Sequence, residues 1–106
     1  NSRVQVFDGE GNYLFQFGTP GSGPGQFNQP SGVAVDPTSH NIVVADYGND
    51  RVQIFNSAGV FLSQFGGTGA GNGQFNRPYG VAIDPVSHNI VVVDQNNNRV
   101  QIFAPQ

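Results

Sequence analysis

Short blocks of apolar residues, rich in Val, Ile and Phe, alternate along the chain with clusters of Gly, Pro, Asn and Asp. Blocks of about four to six such residues bounded by turn-forming residues are typical of β-strands. No block has the spacing of an amphipathic helix, so the pattern predicts an all-β chain. The central part is predicted to form four strands joined by short turns, at residues 32–36, 41–46, 51–55 and 60–65.

The second strand of this group is apolar at both odd and even positions. Residues 42–45 read Ile-Val-Val-Ala, and residues 90–93 read Ile-Val-Val-Val. Because adjacent residues of a strand point to opposite faces, both faces of the sheet must be covered, and we expect sheets that stack face to face. Between two such sheets, the Gly-rich residues 66–73 are expected to form a surface connection held by a few anchors such as Phe75.

The chain repeats itself with an offset of 48 residues. Residues 3–7 (RVQVF) recur as residues 51–55 (RVQIF) and again as residues 99–103 (RVQIF). A four-stranded unit repeated with a period of about 40–50 residues is typical of a β-propeller blade. We therefore interpret residues 1–106 as one partial propeller, with units at residues 3–50 and 51–98 and the start of a third at residues 99–106.

Three blocks of each unit resemble the NHL repeat. They are GQFNQPSGVAVD at residues 25–36, NIVVAD at residues 41–46 and NDRVQIF at residues 49–55, and residues 73–103 repeat all three. The resemblance implies blades of four antiparallel strands in a propeller that commonly has six blades. NHL propellers include RNA-binding domains, protein-interaction domains, sensor ectodomains and a few metal-dependent lyases, so the resemblance implies a fold without choosing a function.

Composition narrows the classes of function. The chain has four basic residues, all arginine, against seven acidic residues, and a formal net charge of −3. A nucleic-acid-binding surface needs clustered positive charge, so we do not expect a nucleic-acid partner. The absence of cysteine excludes disulfides and thiolate metal sites. The apolar runs are far shorter than a membrane span, so no membrane partner is expected, and no sequence feature assigns a cellular compartment.

The resemblance also implies roles for one arginine and one aspartate in each unit. Arg3, Arg51 and Arg99 begin the third strand, where the family pattern has an arginine that bonds loop carbonyls or a neighbouring blade. Asp46 and Asp94 end the second strand, where a carboxylate accepts backbone N–H bonds and fixes the turn. We interpret all five as structural, and we expect Arg51→Ala to cost about 1–3 kcal/mol of stability. A ring of carboxylates around a divalent cation is the alternative for the aspartates, and it needs ligands from several blades.

The turns between the first two strands of each unit carry an aspartate and a histidine. Asp36 and Asp84 open these turns and are interpreted as caps. His40 and His88 lie four residues later and are expected to be exposed, with no nearby partner at metal-ligand spacing. A catalytic role would require a nucleophile and an orienting carboxylate within hydrogen-bond reach of the imidazole. We therefore expect no enzymatic activity and no cofactor.

Two positions break the repeat in a way that suggests an interaction surface. Arg77 stands where the first unit has Gln29, and Tyr79 stands where it has Ser31. Tyr and Arg are the residues found most often as interface anchors. The candidate binding face consists of Arg77, Tyr79, Tyr47, Asn96 and Asn97.

Further strands are predicted at residues 3–7, 13–17, 80–84, 89–94 and 99–103. The predicted strands thus number nine, whereas two complete blades need eight. Both residues 3–7 and residues 99–103 are copies of a third strand, and they compete for one place in a closed ring. Since Ile102 buries about one methylene more than Val6, we expect the C-terminal copy to take that place. Deletion of residues 1–7 is then expected to leave oligomer size and melting temperature nearly unchanged.

Two blades cannot close a ring, and each end presents an apolar face and a free strand edge. We expect the chain to associate with itself, and three copies would make six blades. Rings of four, eight or ten blades, or a piece of a longer propeller, are the alternatives. The expected function is a non-enzymatic scaffold whose loop faces bind a protein or peptide. An RNA-binding module and a metal-dependent lyase-like enzyme are the other two hypotheses.

Overall fold

The computed structural model describes residues 2–106, and that range contains strands and short 3₁₀ turns but no α-helix. All nine predicted strands are present, and their ends lie within two residues of the predicted positions. Two additional strands of two residues each lie in residues 18–29, which we call the first connection; residues 66–77 form the second connection. The strands are β1 (Val4–Phe7), β2 (Tyr13–Phe17), β3 (Thr19–Pro20), β4 (Gln26–Phe27), β5 (Pro30–Val35), β6 (Ile42–Asp46), β7 (Arg51–Phe55), β8 (Phe61–Phe65), β9 (Pro78–Ile83), β10 (Ile90–Asp94) and β11 (Arg99–Phe103).

The long strands form three antiparallel sheets. The first blade is a four-stranded sheet in the order β5-β6-β7-β8, and the second blade is a three-stranded sheet in the order β9-β10-β11. Strands β1 and β2 form an N-terminal hairpin. The repeat extends to the register, because Val44 pairs with Gln53 in the first blade and Val92 pairs with Gln101 in the second.

Each turn between the first two strands of a blade is closed by an aspartate. The Asp36 carboxylate accepts hydrogen bonds from the backbone N–H groups of Thr38 at 2.8 Å and Ser39 at 3.1 Å. Asp84 accepts the corresponding bonds from Val86 and Ser87. The predicted capping role of both aspartates is confirmed.

The two blades stack face to face. Val43, Val52 and Ile54 of the first blade form a buried cluster with Ile90 and Val92 of the second. We call this contact the blade junction. Apolar packing of this kind removes side chains from water on both sides and stabilises the stack by about 25 cal/mol for each Å² buried.

The opposite face of the first blade is covered by the N-terminal hairpin. Ile42, Val44 and Phe55 form a second buried cluster, and Val4 and Phe17 of the hairpin pack against it. Every residue of β6 and β7 is consequently buried. This confirms the expectation that both faces of the blade are covered.

One face of the second blade has no neighbour among residues 2–106. Val93, Val100 and Ile102 lie on this face, which we call the end face, and their exposed fractions are 40%, 58% and 67%. Pairing of Val93 with Val100 places both side chains on the same side of the sheet. The residues at the matching positions of the first blade are Ala45, Val52 and Ile54, with exposed fractions of 0%, 0% and 3%.

The Gly-rich connections are more ordered than predicted. In the first connection, β3 and β4 form a parallel pair, and an isolated parallel bridge between Thr68 and Phe75 occupies the matching place in the second. Phe75 is fully buried, as expected of an anchor. The second connection is also bonded to the side chains of Asn97, Arg99 and Gln101. It therefore has more anchors than expected.

No helix within residues 2–106 is long and apolar enough to span a membrane.

Candidate functional site

An arginine joins each blade to the connection that precedes it, and the arginine of the first blade, Arg51, is buried. The Nε of Arg51 donates to the Asp46 carboxylate at 2.8 Å. Both terminal nitrogens donate to carbonyl oxygens of the first connection and to one side chain of β8. These acceptors are Ser22 O at 2.9 Å, Gly23 O at 3.0 Å, Gln26 O at 2.7 Å and Gln64 Oε1 at 3.0 Å.

Asp46 is the second centre of this network. Its side chain is fully buried and accepts the backbone N–H of Asn28 at 2.8 Å, at the end of the same connection. It also accepts the side-chain amides of Asn49 at 2.9 Å and Gln53 at 3.2 Å. These partners and Arg51 occupy the carboxylate, so the geometry is that of a structural ion pair and leaves little capacity for a metal ion.

The second unit repeats the network almost atom for atom. Arg99 donates to Asp94 at 2.8 Å and to the carbonyl oxygens of Ala70, Gly71 and Gln74. Burial of the Asp94 carboxyl favours its neutral form, but this effect is outweighed by the hydrogen bonds from the Asn76 backbone, Asn97 and Arg99, so the pKa of Asp94 lies below its usual value.

Arg3 differs from its two counterparts. Its side chain is exposed and makes no hydrogen bond to any group within residues 2–106. Arg3, Arg51 and Arg99 hold equivalent positions in the repeat. Only Arg51 and Arg99 make the arginine network.

Three residues of the predicted binding face meet across the blade junction. The guanidinium carbon of Arg77 lies 5.5 Å from the ring centroid of Tyr47. Nη1 of Arg77 also donates to the Gly48 carbonyl at 3.3 Å. The Tyr47 and Tyr79 rings pack edge to face with centroids 6.5 Å apart, and Tyr79 remains 55% exposed. The cluster joins the two blades and presents an aromatic surface to solvent.

The other two residues of that face belong to the second blade. Asn96 donates its backbone N–H to the Asn76 carbonyl at 3.0 Å. The Asn97 side chain donates to the Gly69 carbonyl and to Asp94, both at 2.9 Å. No hydrogen bond connects either asparagine to the Tyr47, Arg77 and Tyr79 cluster within residues 2–106.

Asp50 is a junction residue that the sequence interpretation missed. Its carboxylate accepts the backbone N–H of Arg77 at 2.7 Å and the hydroxyl of Thr68 at 2.8 Å, and the residue is almost fully buried. The matching position in the second unit is Asn98. Asp50 and Asn98 therefore differ between the repeats, as Arg77 and Gln29 do, and this difference could have identified Asp50 from the sequence.

His88 is half-buried, so the expectation that it is exposed is wrong. Its Nδ1 lies 3.0 Å from the Asp36 carboxylate, across the blade junction. The backbone N–H of Thr38 lowers the pKa of Asp36, and the Ser39 N–H and His88 act in the same direction. His40 is exposed, as predicted.

A cavity of about 320 Å³ lies beside the Asp36 and His88 pair, with Val43, Ile54 and Ile90 in its wall. Ser39 also lines it, but within residues 2–106 no hydroxyl is hydrogen-bonded to His88. The pair therefore lacks the nucleophile that a catalytic triad requires. No group of three or more metal-ligating side chains occurs in the described part of the chain.

The stacked antiparallel sheets, their 48-residue period and the repeated arginine network define a protein built from β-propeller blades. A sequence model described as "NHL repeat" matches residues 27–55 and 75–103. The two matches cover more than half of the chain, and the chain belongs to the NHL repeat family. The resemblance of the sequence blocks to this repeat is thereby confirmed.

A solved structure similar to this chain is named "Putative phosphatase" from Bacteroides thetaiotaomicron VPI-5482, with a TM-score of 0.70 and 16% sequence identity. The match covers 98% of this chain, which spans 30% of the length of that protein. At this level of identity the similarity shows the fold alone. A comparison with curated proteins finds no match.

Proposed function

We propose that this chain is a non-enzymatic scaffold that assembles with copies of itself into a closed propeller and presents its loop face to a protein or peptide. The observation that carries the proposal is the end face. Val93, Val100 and Ile102 form an apolar surface on a sheet, and the equivalent surface of the first blade is buried against another blade. A second copy supplies a cover of the same kind.

The blade junction within the chain is the template for the junction between copies. At this junction the Ser31 hydroxyl donates to the Tyr79 carbonyl at 2.7 Å. A methyl group on Gly32 would lie 2.8 Å from the Tyr79 carbonyl oxygen, so the backbones of β5 and β9 are in close contact there. Gly80 holds the matching position in the second blade and is open within the single chain, because its nearest side-chain neighbour, Val93, would lie 3.7 Å from an added methyl.

Three copies are the number that we favour. Each copy contributes two blades, and six is the blade number that the NHL resemblance implies. In a closed ring of copies no end face is exposed, whereas an open stack of copies would continue to grow. In a ring of three, the cluster of Tyr47, Arg77 and Tyr79 occurs three times on one loop face, and aromatic and arginine side chains are the usual anchors of protein partners.

Light scattering at micromolar concentration tests the assembly. We expect about 34 kDa, three times the chain mass of 11.3 kDa. Ile102→Glu places a charge on the end face and is expected to give the single chain. Val60→Glu is the matched control, because Val60 is 56% exposed just before β8 and belongs to neither buried apolar cluster, and it should keep the wild-type mass. A wild-type mass of 11.3 kDa over the whole concentration range contradicts the proposal.

Gly80→Ala tests the template itself. The single chain has room for the added methyl, so we expect the variant to fold normally. In the ring, the methyl would meet the Ser31 carbonyl of the next copy as closely as a methyl on Gly32 would meet the Tyr79 carbonyl. The variant should therefore associate more weakly than the wild type. Unchanged association of Gly80→Ala would show that copies do not pack as the two blades do.

RNA binding is tested by fluorescence anisotropy with a labelled single-stranded RNA at low salt, where electrostatic binding is strongest. A net charge of −3 leads us to expect no saturable binding at micromolar protein. Saturable binding would favour the RNA-binding alternative over a protein or peptide partner.

A further inference from the structure

The N-terminal strand β1 covers an edge that another strand fits equally well. It pairs with β2 in a register that matches Val4 to Phe17, Gln5 to Gln16 and Val6 to Phe15. In the first blade, β7 pairs with β8 in the same register, with Val52 matched to Phe65 and Gln53 to Gln64. Strand β11 has the same sequence as β7, and its outer edge is unpaired within residues 2–106. The edge of β2 is therefore shaped for β11 as well as for β1.

The side chains of β11 are already held in place, whereas those of β1 are not. Arg99 makes four hydrogen bonds within its own unit. Gln101 bonds Gly73, Gln74 and Asp94. The matching side chains of β1, Arg3 and Gln5, make no hydrogen bond within residues 2–106. Strand β1 thus contributes the backbone ladder and the apolar contact of Val4, but not the polar network that the other two copies share.

One hydrogen bond of the first blade has no counterpart in the second blade, and β2 of a second copy would supply the missing acceptor. Nη1 of Arg51 donates to Gln64 on the neighbouring strand β8 at 3.0 Å. Arg99 has no such acceptor among the described residues, because the second blade has no fourth strand there. Gln16 occupies the position in β2 that Gln64 occupies in β8.

We propose that β1 is an autoinhibitory strand: it covers the edge of β2 in the unassembled chain and is displaced when β11 of a second copy pairs with β2. Gln16 of one copy then accepts a hydrogen bond from Arg99 of the other. This inference rests on the proposed self-assembly and specifies its mode. The interaction surface is the edge of β2 together with the Val44 and Phe55 side of the first blade, and the partner is the second blade of another copy.

Competition by β1 weakens association without contributing to the ring. An edge that is covered for nine-tenths of the time raises the apparent dissociation constant of one junction about ten-fold, because only the open fraction binds. Deletion of residues 1–7 should therefore keep the oligomer mass and lower the dissociation constant of each junction about ten-fold. Deletion of residues 99–106 removes the strand that is held by the polar network, and it should abolish the oligomer.

Sedimentation velocity on the full chain and on both deletions measures these constants, and circular dichroism verifies that each variant folds. A synthetic peptide of residues 1–7, added to the chain that lacks them, should raise the dissociation constant again, and a peptide with Val4→Glu and Val6→Glu should not. Weaker association after deletion of residues 1–7, with a normal circular dichroism spectrum, overturns the autoinhibitory role. If the full chain and both deletions remain monomeric at every concentration, the proposed self-assembly itself is wrong.

Hydrogen exchange followed by mass spectrometry tests the displacement without any variant. The amides of β1 pair with β2 in the unassembled chain, so residues 4–7 should be protected at low concentration. At a concentration that populates the oligomer they should exchange faster, while residues 99–103 become more protected. Protection of residues 4–7 that rises with assembly overturns the proposal.

Discussion

The guanidinium of Arg77, in the second blade, lies over the ring of Tyr47, in the first, with 5.5 Å between its central carbon and the ring centroid. Cation–π contacts of this kind stabilise partly exposed sites by about 0.5–1 kcal/mol. The backbone of Arg77 is held at the same place by its bond to Asp50. One residue therefore connects the blades through both its backbone and its side chain.

Arg77→Gln is expected to lower the free energy of unfolding by about 1 kcal/mol. Glutamine suits the backbone here, because Gln29 has φ 58° at the matching position and Arg77 has φ 61°. The loss therefore isolates the contact with Tyr47 and the bond to Gly48. Urea unfolding measures it, and Tyr47→Gln should produce a loss of similar size. If Arg77→Gln and the wild type unfold at the same urea concentration, the cluster does not stabilise the junction.

Arg51→Ala is expected to cost about 3 kcal/mol or more, because removal of one partner leaves the Asp46 carboxylate buried without its counter-charge. Arg3→Ala is the matched control, since Arg3 has the same position in its strand and is exposed. It should change stability by no more than about 0.5 kcal/mol. Thermal unfolding followed by circular dichroism compares the two. Equal losses in both variants would show that the arginines are equivalent and that the distinction seen in the structure is wrong.

Acid should destabilise the protein. Asp8, Asp36, Asp84 and Asp94 all have a pKa below the usual carboxyl value in the folded chain. A group whose pKa is lowered by folding contributes stability above its unfolded pKa, about 4, and that contribution is lost as the pH falls through the folded pKa. The melting temperature should be nearly constant from about pH 7 to 5 and should fall below about pH 4. A melting temperature that rises on acidification contradicts this prediction.

Asp94→Asn identifies how much of this acid effect belongs to the arginine network. The variant should melt at a lower temperature than the wild type at pH 7, and the two should converge as the pH falls, because the wild-type carboxylate is then protonated as well. Glu10→Gln, in the exposed turn of the N-terminal hairpin, is the control for the removal of one negative charge. If the melting temperatures of Asp94→Asn and the wild type differ by the same amount at every pH, the loss does not come from the charge of the carboxylate.

The strands could be predicted from the sequence because each is a β-branched or aromatic block bounded by turn residues, and the 48-residue repeat confirms each block a second time. Contacts between blades could not be predicted from the sequence. Asp50 and Arg77 are 27 residues apart, and Asp36 and His88 are 52 residues apart. The repeat gives the period of the blades, but the rotation between neighbouring sheets decides which turns meet. His88 was therefore expected to be exposed, whereas it is half-buried beside Asp36 of the adjacent blade.

Part of the candidate face could also be predicted from the repeat. A residue that differs between the two units, such as Arg77, indicates a contact that only one unit makes. Asp50 breaks the repeat as well, but the change from aspartate to asparagine is conservative in shape and draws no attention until the Arg77 N–H is seen at 2.7 Å. Binding of a partner by Tyr79 stays a prediction.

The hydrogen bonds that Arg51 donates to Ser22, Gly23 and Gln26 join groups 25 to 29 positions apart in the chain. The guanidinium reaches its position only when β6 and β7 have paired, because Asp46 and Arg51 lie opposite each other in that pair. We therefore expect the Gly-rich connection to lose its bonds to Arg51 whenever β6 and β7 separate, and to open more readily than the paired strands when the folded chain fluctuates.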